Sequence, residues 1–417
     1  MMEEKKKRTL LIVSLVMVLA LIFGISYAYF LAQDESGTQT ITTQNIGVEL
    51  DDGTEKEPVV LATGIKPIAR EDMSTKAVKK NFTVTNTGDE KLFVDITLDD
   101  VALGTDNALK RFDYLWALYE VNGETEKNIS IGSFEYASDT VTVGYKEVLS
   151  PDESKEYNLY IWIEETHLNQ NTMMNQTFTA KVVATGEVYW ETPASEFTFD
   201  EATGTITGYT GNGGDISIPR VINDVAVTKI GNNAFCVASE YGGCSAGKGI
   251  TSVIIPNSVT TISDGDDVFS YNQLGEVFIP NSVTSIGYGA FNNAQLTNVI
   301  MANGVTSIES NAFYSNQLTS LVLPNSVTSI GRSAFSSNSI TNLIIPEGIT
   351  TIREYAFDSN SLVTVILPST LETIEGSSLA PNSTLQQIVV VGKSSISDFT
   401  GEPTGVDEIS NKVIWAP

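Results

Sequence analysis

The sequence predicts a mainly β chain in which a β-sandwich is followed by a β-solenoid of 22-residue repeats, with one N-terminal hydrophobic helix ahead of both. Three observations carry this. Leu274, Leu296, Leu318, Ile340 and Leu362 recur at 22-residue intervals, and so do Phe269, Phe291, Phe313, Phe335 and Phe357. Short alternating segments separated by turn residues fill the chain from about Ile41 to Gly186. An uncharged stretch, Thr9 to Ala32, follows the basic run Lys5, Lys6, Lys7 and Arg8.

At about 1.5 Å per residue the uncharged stretch would span roughly 36 Å as a helix, enough to cross a hydrocarbon layer of about 30 Å. The basic run holds its N-terminal side in the cytoplasm, so everything after Ala32 is expected outside, either secreted or anchored to the cell membrane by this helix. Two fates are open to it. Ser26 and Ala28 are small residues at the positions a signal peptidase reads, which places a cleavage between Ala28 and Tyr29. Tyr27, Tyr29 and Phe30 also suit the aromatic belt of a retained anchor.

In the middle region Leu92, Val94, Ile96 and Leu98 alternate with Phe93, Asp95 and Thr97, the pattern of a half-buried strand. Asn122–Gly123 marks a hairpin after YLWALYEV, because both residues tolerate positive φ. A further strand from Tyr157 to Glu164 follows the turn Ser150-Pro151-Asp152-Glu153. With no convincing helical period, the region is predicted to be an Ig-like β-sandwich.

In a repeat such as LGEVFIPNSVTSIGYGAF, the inward set is Leu274, Val277, Ile279, Val283, Ile286 and Phe291. Val277 and Ile279 have the period of a strand, so each unit should add one short strand to a stack of about seven. A single unit has no partner for its apolar face, and stacking supplies one. Phe197 to Tyr209 is expected to be a hairpin covering the upper end, and the chain after residue 392 a cap for the lower one. The expected division is therefore 1–33 signal peptide or anchor, 34–188 sandwich, 189–215 linker and cap hairpin, 216–392 repeats and 393–417 C-terminal cap. Asn272, Asn316, Asn338 and Asn360 recur just before each strand, where a short amide bonds turn backbone and forms a ladder.

Composition narrows the chemistry. Fifty-one acidic against 24 basic residues give a formal charge of -27, which excludes nucleic acid as a partner. The single histidine, His167, has no nucleophile context such as Gly-x-Ser-x-Gly, and three His and Cys residues in all are too few for a usual zinc site. No catalytic residue, cofactor or metal is assigned. Asp264, Asp266 and Asp267, like Asp51 and Asp52, lack the spacing of a calcium loop and are taken as solvated turns. Cys236 and Cys244, in the insertion CVASEYGGCSAGKG, are expected to pair as a disulfide outside the cytoplasm.

Two resemblances extend this reading. The repeats, with Pro219, Pro256, Pro280, Pro324, Pro346 and Pro368 ending the strands and a Val-x-x-Ile-Gly-x-x-Ala-Phe segment after them, resemble bacterial leucine-rich repeats of the BspA type. Ala302 departs at the proline position, and Ser263, Glu309, Arg353 and Glu375 depart at the glycine. The segments GISYAYFLAQ and TQNIGVELDDG, with FTVTNTGDEKLFVDITL and LSPDESKEYNLYIWIEE, resemble the leader and sandwich domain of TasA- and camelysin-like secreted proteins. These resemblances imply a bacterial surface or secreted binding protein that meets an extracellular protein or glycan through its solenoid. The alternative they imply is a biofilm-matrix subunit that self-assembles through the sandwich. A ligand is expected along the strand face at Glu276, Phe278, Thr319, Ser320 and Val322. Membrane contact is confined to the N-terminal segment before any cleavage.

Overall fold

The computed structural model of the chain describes residues 47–51, 59–63, 65–103, 111–135, 140–168, 170, 177–240, 243–263, 265–395, 398–399 and 412–416. The first half is two facing sheets. One contains, in spatial order, β1 (Val48–Asp51), β4 (Val78–Asn86), β9 (Ser154–Glu164), β6 (Tyr114–Asn122) and β7 (Thr125–Ser133), with β3 (Pro67–Ile68) also paired to β9. The other runs β2 (Val59–Thr63), β10 (Thr177–Val188), β5 (Leu92–Leu103) and β8 (Val141–Leu149). Leu92, Val94, Ile96 and Leu98 point between the sheets and meet Phe82, Tyr114, Leu118, Tyr157 and Ile161, all fully buried. Phe93, expected on a half-open face, is buried as well, because Tyr189 packs on its ring at 4.6 Å. The Asn122–Gly123 turn joins β6 to β7 with Asn122 opposite Thr125, and Gly123 takes the positive φ of 64° that such a turn requires.

The second half is a solenoid whose coils carry two columns of parallel strands, where the sequence suggested one strand per unit. The first column holds the Val277 and Ile279 positions: Glu276–Ile279 pairs with Asn298–Met301, and Asn342–Ile344, Thr364–Leu367 and Gln387–Val391 follow lower down. The second is formed by the Val-x-x-Ile segments, with Thr261–Ile262, Ser285–Ile286, Ser307–Ile308 and Ser329–Ile330 in one continuous sheet. Val283 and Ile286 both reach the core only if the chain extends a second time on the far side, and two residues per coil suffice for that. The hairpin β11 (Phe197–Asp200) and β12 (Thr205–Tyr209) sits on the upper end, β12 pairing in parallel with Lys229–Ile230. At the lower end Val413–Ala416 pairs in parallel with Gln387–Val391.

Two ladders run down the interior. Phe235, Phe269, Phe291, Phe313, Phe335 and Phe357 stack with centroids 4.7–5.5 Å apart and ring planes within 13° of parallel. Beside them the asparagine amides join successive coils. Asn338 Nδ2 donates to the carbonyl of Phe313 in the coil above at 2.9 Å, and its Oδ1 accepts from Leu318 N at 3.1 Å. Asn316 and Asn360 make the same pair of bonds, and so does Asn382, which the sequence reading stopped short of. At Ala294 the backbone carbonyl accepts from Leu274 N at 3.0 Å, so the missing amide leaves no donor stranded. Phe313→Ala should therefore lower stability by about 3–5 kcal/mol, measured by urea unfolding, while the exposed Thr306→Ala should change it by less than about 1 kcal/mol. A loss under about 1 kcal/mol for Phe313→Ala would contradict the ladder as a stabilising core.

Candidate functional site

The first strand column, which the sequence suggested as the ligand face, carries the sandwich. Phe278 lies flat on Tyr145 of β8, with centroids 4.4 Å apart and planes 16° from parallel. Ile300 is buried with the sandwich core, and Val322 packs beside Tyr160 and Trp162 of β9. Polar contacts close the rest of the seam. Asn303 N donates to Asn128 Oδ1 at 2.9 Å, and the Thr341 hydroxyl and Asn342 amide both donate to the Glu135 carboxylate.

Arg70 is the central polar group of this seam. It enters from a short helical turn at Arg70–Lys76 that the sequence reading did not foresee. Its Nε meets Glu164 Oε2 at 3.1 Å, with both side chains about nine-tenths buried, and its Nη1 donates to the Leu323 carbonyl at 2.8 Å. Glu164 also accepts from Trp162 Nε1 at 2.8 Å, so one carboxylate is held by an arginine and an indole while the arginine reaches the solenoid. The sequence signal was weak: an arginine between Ala69 and Glu71 resembles any surface residue until β9 supplies its carboxylate.

The five residues suggested for a ligand thus divide. Phe278 and Val322 face the sandwich and are covered by it, because β8 and β9 dock where those side chains project. Ser320 is half-buried, whereas Glu276 and Thr319 are exposed. They belong to a polar rim at the start of each first-column strand, continued by the exposed Gln273, Gln295, Thr297 and Gln317. This rim is regular: Asn298 Nδ2 donates to Glu276 at 2.8 Å and the Thr297 hydroxyl to the Gly275 carbonyl at 3.0 Å.

The remaining sequence candidates sit apart from the rim. Cys236 and Cys244 are joined by a disulfide with Cα atoms 5.8 Å apart. The bridged insertion is tied to the next coil by Cys244 N donating to Asp267 Oδ2 at 3.0 Å, while Asp267 Oδ1 accepts from Ser270. His167 is exposed in a bend. Among the described residues no group of three His, Cys, Asp or Glu side chains is placed to hold a metal ion, and no helix is long and apolar enough to cross a membrane. Thr9 to Ala32, with Ser26, Ala28 and Tyr29, and Asp52 and Asp264 lie outside the described residues.

Comparison with known proteins places the solenoid. The profile of the BspA type leucine rich repeat region matches six copies, within residues 228–360 and 263–386. The solenoid is a BspA-type leucine-rich repeat region. Similar solved structures include a leucine rich repeat protein of T. pallidum, 21% identical over 54% of this chain and 99% of that one, with a TM-score of 0.32. A leucine rich cell surface protein from Faecalibacterium prausnitzii A2-165 is 23% identical over 48% and 76%, with a TM-score of 0.24. A leucine-rich repeat protein from Bacteroides ovatus ATCC 8483 is 18% identical over 55% and 71%, with a TM-score of 0.32. No curated protein matches the chain. The BspA-type match begins at residue 228, after the sandwich.

Two outcomes follow from the way the BspA-type coils hold the sandwich. Arg70→Ala strands Glu164 in the seam and should cost about 3–5 kcal/mol; calorimetry should then show the sandwich and solenoid melting separately, whereas an unchanged single transition would remove Arg70 from that role. Burial pushes the Glu135 carboxyl above its ordinary range, more than the Asn342 and Thr341 donors pull it down. The folded chain therefore holds this proton more tightly than the unfolded one, and stability falls as pH rises from the ordinary carboxylate range through the raised value. Glu135→Gln should raise the melting temperature at pH 7 and leave it nearly unchanged at pH 4; equal shifts at both would exclude a titrating seam.

Proposed function

We propose that this chain is a non-enzymatic, extracytoplasmic bacterial binding protein that meets its partner along the open rim of the leucine-rich-repeat solenoid. The repeat family points to protein interaction, and the sandwich docked on the strand face leaves the rim as the regular surface beside it. The observation that carries the reading is the run of exposed Gln273, Glu276, Gln295, Thr297, Gln317 and Thr319, repeated by coil stacking into a continuous polar strip. Such a strip suits an extended partner, because each coil offers the same hydrogen-bonding groups about 4.8 Å from the last.

The uncharged stretch behind a basic run supports an extracytoplasmic setting. In this reading the sandwich is a base docked on the strand face, and the rim stays exposed beside it. Beads coated with the full chain should be retained on epithelial or bacterial cell layers. The triple variant Glu276→Ala/Gln295→Ala/Thr319→Ala should lose more than half of that retention while keeping the native circular dichroism and melting temperature. Retention equal to that of the native chain would remove the rim from the function.

A further inference from the structure

A hollow of about 580 Å3 opens where the sandwich meets the upper coils. That size is within the range of about 300–1,000 Å3 typical of small-ligand sites. Its floor is a break in the first strand column. Ile250–Ile254 pairs with Gly214–Ser217 on one side, and Glu276–Ile279 pairs with Asn298–Met301 on the other. No ladder joins Ile250–Ile254 to Glu276–Ile279, and residues from both sides of the break line the hollow. Main-chain N–H and C=O groups outside any ladder therefore border it.

The walls gather five cations. Lys91, Lys127, Lys146, Lys155 and Arg220 line the hollow against the carboxylates of Glu120, Glu147 and Glu153, in a chain where acids outnumber bases 51 to 24. Lys146 is held by Asp95 and Glu187, and Lys155 by Glu147. Among the described residues Lys91, Lys127 and Arg220 have no carboxylate within ion-pair distance, and the Lys91 ammonium lies 3.9 Å over the Tyr189 ring. Cations without a carboxylate partner favour a ligand that brings anionic groups.

We propose that this hollow binds an acidic oligosaccharide, with its carboxylates at Lys91, Lys127 and Arg220 and its hydroxyls on the main-chain groups at the break. An acidic peptide is less suited. Adding a strand needs a free edge with about 4.8 Å of lateral room. Tyr145 occupies that room: its ring stacks on Phe278 on one side of the break and its hydroxyl lies beside Ser252 on the other. A compact polyol can use the bordering groups without opening the coils.

The test is calorimetric titration of the full chain in detergent with tetragalacturonate and with a hyaluronan tetrasaccharide. At least one should bind saturably, with affinity falling as salt rises. The double variant Lys91→Gln/Arg220→Gln should weaken it by roughly tenfold or more, while Arg332→Gln, outside the hollow, binds as the native chain does. Absence of saturable binding by both acids, equal binding of neutral tetragalactose, or unchanged affinity in the double variant would each overturn the proposal. The hollow is distinct from the rim, so a Gln295→Ala/Thr319→Ala chain should bind the acid normally, and failure of one reading leaves the other standing.

Discussion

Each coil of this protein places the same groups over those of its neighbour, and the contact between Phe313 and the phenylalanines above and below it shows why the rest depends on that register. Rings 5.2 and 5.3 Å away on either side fill the interior without a gap. The asparagine amide three residues further on can then reach the carbonyl of the preceding coil. One residue more or less in a unit would move the ring out of the stack and strand the amide together. The second unit is two residues longer than the regular ones, and the extra length falls in the sequence between Ile262 and Phe269, outside both ladders.

A stack of this kind has two ends and several faces, and the chain uses its other parts to cover them. The β11–β12 hairpin shields the upper end, where Tyr209 packs on Phe235 at 5.6 Å. The Val413–Ala416 strand continues the first column at the lower end. The sandwich covers part of a flank, and the buried Arg70–Glu164 pair shows that this contact is more than a graze. A charged pair removed from water is tolerated only where further hydrogen bonds satisfy it, and Leu323 and Trp162 provide them. Docking also creates the hollow beside Tyr145, a feature that neither domain has alone.

Much of the solenoid was legible in the sequence because its 22-residue period is strong and its inward positions are apolar throughout. The Asn ladder followed from the same period, and Asn382 was missed only because the count stopped one unit early. The second strand column was not legible: Ser285–Ile286 and its equivalents are two residues long, too short for an alternating pattern. In the sandwich, Leu92 to Leu98 announced its strand plainly, yet nothing in it signalled that Tyr189 would return to bury Phe93. The ligand face was half legible. Exposure of Glu276 and Thr319 follows from local pattern, whereas the cover over Phe278 and Val322 comes from residues more than 100 positions earlier.

The sequence by itself determined the repeat, its inward residues, the turn chemistry of the hairpins and the excess of negative charge, because these depend on spacing and composition within a few dozen residues. Only the tertiary structure decided which face of the solenoid stays open, which arginine becomes buried and where five cations gather in an acidic chain. Those outcomes are set by how one domain lies against another. Phe278 has the same local pattern as a free strand residue until Tyr145 stacks on it, and Lys91 and Arg220 are separated by more than a hundred residues until docking brings them to one hollow.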